Sequence, residues 1–179
     1  MMRLMGITVC ALIAILSMSF SFFKSKPRDY ADIAREIRSN VGKKLSKKHR
    51  MNLIGVGGGM MGSVYMIGLS FQVRHPLERN EVRYLIVDCA EELINAVNAN
   101  EEIRPYLRDY PFTTKNVQIF IFSSTSKGGD VYDPYIGASW IAESDKISYC
   151  TSEPSKITYK NKYYETYAEA RAKILGESL

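Results

Sequence analysis

From Leu4 to Phe23 the chain runs twenty positions without a charge, with Arg3 before them and Lys24, Lys26 and Arg28 after. That run is long enough to cross roughly 30 Å of hydrocarbon as a helix, so residues 1–23 are expected to be a signal anchor or a secretory signal peptide. Ser17, Ser19 and Ser21 offer small-x-small cleavage pairs, whereas the length of the apolar run favours a retained anchor. The cations that follow favour a cytoplasmic domain. Signal-like N-termini usually lead to export, and the expected location is membrane-anchored or across the inner membrane, in the periplasm or envelope. A cytoplasm-facing anchor is the alternative.

After the segment the periodicity changes. Tyr30, Ile33, Ile37, Val41 and Leu45 recur at spacings of three and four, predicting an amphipathic helix from about Asp29 to Lys48. Tyr65, Ile67, Leu69, Phe71 and Val73 alternate with other residues, predicting a strand over Ser63–Arg74 with one buried face. Helical spacing returns at Val82, Leu85, Ile86, Cys89, Leu93 and Val97, with Asn80 as the expected cap. Val117 to Phe122 is continuously apolar and β-favouring apart from Gln118, as a central strand covered on both faces would be. Residues 137–151 read as two strands turning near Ser144 to Lys146, and residues 156–164 as a further strand or short hairpin. Thr166 and Glu169 form a capping box for a last helix reaching about Leu175.

Strands that follow strands favour antiparallel pairing, so the expected fold is α+β: a mainly antiparallel sheet with helices packed on one face, preceded by an N-terminal hydrophobic helix. The expected organisation is the leader at 1–23, a basic amphipathic helix at 24–50, and one α+β domain at 51–179 on which that helix packs.

Charge alters the picture locally. Residues 24–50 hold ten Lys or Arg against three acids, while residues 51–179 hold thirteen against sixteen. The basic character is confined to the neighbourhood of the apolar leader, which excludes a domain-wide nucleic-acid surface. Lys43, Lys44, Lys47 and Lys48 are candidate contacts for anionic lipid headgroups, the alternative being a solvated helix face.

Few motifs carry chemistry. Gly57, Gly59 and Gly62 match GxGxxG, which in dinucleotide sites precedes a helix whose N-terminus holds the pyrophosphate. Here the next segment alternates as a strand, so a glycine-rich bend or bulge between two strands is expected instead, and no cofactor. His49 and His75 lack partners at metal-ligand spacing. Cys89 falls on an apolar helical stripe, the position of a buried hydrophobe. In an exported domain Cys89 and Cys150 are candidates for a disulfide. The loop from Ser123 to Tyr135 is long enough to be a binding loop, with a turn-rich tip as the other reading. Seven of the twelve tyrosines and the only Trp lie between Asp130 and Tyr167. Tyr132, Tyr135, Trp140 and Tyr163 are accordingly candidates for an interaction surface, the alternative being ordinary β-forming aromatics.

The run Tyr84 to Leu93 (YLIVDCAEEL), with LRDYPFT from Leu107 and NVQIFIF from Asn116, resembles uncharacterised small proteins of chlamydia-like bacteria. The resemblance implies an exported or envelope protein of an intracellular bacterium and supplies no catalytic residue. Two functions follow: a membrane-tethered or exported binding module for an unknown protein partner, or an envelope-associated enzyme of unknown reaction. A pocket gathering ionisable groups would mark the enzyme, a flat aromatic surface the module.

Overall fold

The computed structural model describes residues 28–154 and 158–176, and the expected hydrophobic leader lies outside them. The first apolar stripe becomes helix α1 (Tyr30–His49), capped by Asp29, whose carboxylate accepts the N–H of Ala31 at 3.0 Å. Ile33, Ile37, Val41 and Leu45 are buried, as their spacing requires. Strands β1 (Asn52–Met60) and β2 (Val64–Val73) follow as an antiparallel hairpin. Its turn passes through Gly62 at φ +72°, a conformation glycine adopts without the steric penalty of a Cβ.

Most of the glycine-rich stretch is thus the body of β1, with its irregularities at the strand's two ends and the bend itself at Gly62. Gly55, Gly57, Gly58 and Gly59 all pair with β2, with register shifts at Leu53/Gly55 and at Gly59/Met60. Sterics explain Gly59: the Tyr65 ring lies so close over its Cα that any Cβ would overlap it. The element after Gly62 is a strand, so no helix N-terminus faces the motif.

Helix α2 (Arg79–Ala99) then crosses the sheet to β3 (Val117–Ser123), which runs parallel to β2. This one parallel pair sits in a sheet that is otherwise antiparallel, as expected of a mainly antiparallel α+β fold, and its connection is a crossover because parallel strands cannot be joined by a tight turn. Glu78, rather than Asn80, occupies the cap position of α2, and its side chain makes no capping bond. The return from α2 is held by Asn98, which accepts the Phe112 N–H at 2.7 Å and donates to the Phe112 carbonyl at 3.0 Å. Asn116 donates to the Tyr65 carbonyl at 3.2 Å.

Strands β4 (Ala138–Ala142), β5 (Lys146–Thr151) and β6 (Lys160–Thr166) extend the sheet antiparallel, giving the order β1-β2-β3-β4-β5-β6. Helix α3 (Tyr167–Leu175) starts at the expected box, with the Glu169 N–H donating to Thr166 Oγ1 at 3.1 Å and the Thr166 N–H to Glu169 at 2.7 Å. Among the described residues no helix is long and apolar enough to cross a membrane.

Register divides the sheet into two faces. One row, Leu69, Ile119, Ile141 and Ile147, is buried throughout, beneath α1, which packs on β1 and β2, and α2, which packs on β3 and β4. The alternate row, Ser70, Phe120, Trp140, Ser148 and Tyr164, points to the other face. Along β3 burial alternates strictly, so the strand read as covered on both faces is covered on one.

Candidate functional site

The face away from the helices is buried at Ala138, Ser148 and Cys150 but uncovered at the centre of the sheet, where the pleat of β3 and β4 sends Phe120, Phe122 and Trp140 outward. Phe120 stands between the other two, with ring centroids 6.3 Å from each and planes 4° from Phe122 and 30° from Trp140. All three are half-buried, and Tyr164 ends the row at 49% exposed. The Lys146 ammonium lies 4.0 Å above the Tyr164 ring centroid. Toward β1 the face becomes nearly bare of side chains, at Gly68 and Ser70 of β2 and their partners Gly57 and Gly55.

The aromatics singled out in the sequence do not share one surface. Trp140 belongs to the uncovered face. Tyr163 pairs with Tyr149 on the helix side, under the Arg79 guanidinium at 3.4 Å. Tyr132 and Tyr135 are exposed on the loop after β3. That loop is pinned to its surroundings, with the Asp133 N–H donating to Ser152 at 3.1 Å and the Ile136 N–H to Leu77 at 2.9 Å. Phe120 and Phe122 were hidden as candidates because an apolar strand centre reads as core; their alternation with Ile119 and Ile121 was the available signal.

The lysine cluster is divided in the same way. Lys44 binds Glu92 of α2 at 2.5 Å and Lys48 binds Asp88 at 2.7 Å, so these two join α1 to α2. Lys43 and Lys47 are exposed, with no side-chain partner among the described residues. Asp88 also meets His49 Nε2 at 2.6 Å. Burial works to raise its carboxyl, yet the hydrogen bonds from Lys48 and His49 prevail and hold it below the usual range.

Cys89 and Cys150 are both buried and are not bonded to one another. Cys89 lies on α2, over the helix-covered face, whereas Cys150 pairs with Ala138, itself opposite Phe122, on the other face. The sheet separates them. Burial raises the Cys89 thiol strongly and pushes Cys150 up to about 11, which disfavours the thiolate a nucleophile needs.

A charge cluster invisible in sequence lies between α2, α3 and the β5–β6 hairpin. Glu165 is buried and receives three donors: Arg83 Nε at 2.7 Å, the Tyr149 hydroxyl at 2.5 Å and Lys173 Nζ at 2.7 Å. Burial raises its carboxyl, but the bonds from Arg83, Lys173 and Tyr149 outweigh it and the group stays below its ordinary value. Burial and the hydrogen bond to Glu165 drive the Tyr149 phenol far up, keeping it a donor. Beside the cluster opens a cavity of about 600 Å³ lined by Asn80, Arg83, Tyr84, Lys173 and Ile174. Among the described residues no three His, Cys, Asp or Glu side chains gather as a metal site. No known family model, curated protein or solved structure matches this chain.

Proposed function

We propose that this protein is a non-enzymatic binding module, tethered to a membrane by its N-terminal apolar segment, that docks a partner protein on the uncovered face of its sheet. The observation that carries the reading is the Phe120, Phe122 and Trp140 stack, held half-exposed by strands whose other side forms the core. Aromatic side chains supply most binding energy at protein interfaces because they bury large areas at little entropic cost. Affinity capture from envelope extracts tests it, comparing the wild type with a Phe122→Ala, Trp140→Ala double variant of unchanged circular dichroism. The wild type should retain a partner that the variant loses. Identical retained proteins would refute the docking face. Trp140 is the only tryptophan, so a blue shift of its emission on binding reports the same event.

The exposed lysines support a second contact, with anionic lipid. A fragment of residues 24–179 should bind vesicles more tightly as anionic lipid rises and less tightly as salt rises, since screening acts over about 8 Å at physiological ionic strength. Because Lys44 and Lys48 also hold α2, the informative variant is Lys43→Glu, Lys47→Glu, which spares both ion pairs. Each lysine near such a surface contributes about 1 kcal/mol, so reversing both charges predicts a loss of at least tenfold in vesicle affinity. Unchanged binding would leave α1 with a merely solvated face.

A further inference from the structure

We propose that the cavity between the first turn of α2 and the end of α3 is a binding site for a phosphate monoester. The argument begins with charge. Arg83 and Lys173 share the single carboxylate of Glu165, and Arg79 stands one turn before Arg83 with its guanidinium over the Tyr163 ring. Glu169, one turn before Lys173, is committed to the Thr166 cap at 2.7 and 2.9 Å. A capping carboxylate keeps its charge, so three cations face two carboxylates, Glu165 and Glu169, which leaves one positive charge beside a recess.

The donors are also placed for an oxyanion. Arg83 is nine-tenths buried, and its Nε and Nη1 are fixed by Glu165 and Asn80. This holds the planar fork rigid at the cavity wall, beside the Tyr149 hydroxyl, and a fixed fork is what lets arginine recognise phosphoryl oxygens best. Lys173 gives one of its three N–H donors to Glu165 and is half-exposed at the cavity mouth. Glu165 acts as a positioning residue for both cations.

Size and lining specify the rest of the ligand. A volume of about 600 Å³ lies within the roughly 300–1,000 Å³ typical of small-molecule sites and exceeds what bare phosphate fills. Tyr84, 45% exposed, and Ile174 offer an aromatic and an aliphatic wall for an organic substituent, and Asn80 a polar one. A soluble ester and a lipid headgroup present the same phosphoryl chemistry, and the probes below separate them.

The test is calorimetric titration of the full chain in detergent with inorganic phosphate and with phenyl phosphate, against sodium chloride at matched ionic strength. Phenyl phosphate should bind, more tightly than inorganic phosphate. Lys173→Gln should weaken both at least tenfold, and Tyr84→Ala, compared with wild type at unchanged circular dichroism because the ring also packs edge-on to His49, should remove the preference for the phenyl ester. If phenyl phosphate fails while phosphatidic acid in detergent micelles binds in a Lys173-dependent way, the ligand is a headgroup. Absence of binding by all three probes, or equal binding by wild type and Lys173→Gln, overturns the proposal.

Discussion

Replacing Glu165 by Ala is expected to lower folding stability by about 3–5 kcal/mol, the cost of removing one partner from a buried ion pair. The deletion strands Arg83, whose side chain is 11% exposed and keeps its bond to Asn80, and it takes the acceptor from the buried Tyr149 hydroxyl. Glu165→Gln keeps an acceptor oxygen and should lose less. Urea denaturation of the three proteins measures the order. A loss below about 1 kcal/mol for Glu165→Ala would mean that water replaces the carboxylate at Arg83 and that the cluster is open. The same pair has a defined pH dependence. The Glu165 carboxyl is held below its ordinary value, so its contribution is complete above the unfolded-state pKa of about 4.3. It is then lost as pH falls through the lower folded value. The stability gap between wild type and Glu165→Gln should accordingly narrow below about pH 4.

Two phenylalanines only one strand apart should behave differently when truncated. Phe71 is fully buried beneath the helices, and Phe71→Ala should cost about 3–5 kcal/mol through lost burial and the cavity left behind. Phe122, beside Gln72 on the uncovered face, is half-buried, and Phe122→Ala should cost about 1 kcal/mol. Denaturant midpoints at constant m-value decide the matter. Equal losses would mean that Phe122 is core, leaving the docking reading without its surface.

The local elements were legible because each is written in adjacent residues. The stripe from Tyr30 to Leu45, the alternation from Tyr65 to Val73 and the Thr166/Glu169 box are patterns of two to four positions, and each became the element it predicts. What joins distant residues was not legible. The parallel pairing of β2 with β3 depends on where α2 returns the chain, which no window of either strand records. Arg83 and Glu165 lie 82 positions apart, so the cluster had no spacing to read. The lysines show the same limit: all four satisfy the helical pattern, yet tertiary packing brings Glu92 and Asp88 to two of them. The candidate aromatics failed as a group because nearness in sequence across a hairpin puts neighbours on opposite faces, as with Tyr163 and Tyr164.

Strand order in the sheet equals strand order in the chain. A polypeptide delivered N-terminus first, from a ribosome or a translocation pore, therefore always finds the partner of each new strand already in place. The longest wait falls at β3, which must follow the whole crossover after β2, and closing that loop is the slow entropic step. Once it closes, β4, β5 and β6 add by short-range pairing in the order of their arrival, so the chain assembles its sheet vectorially and β5 is an edge only until β6 arrives.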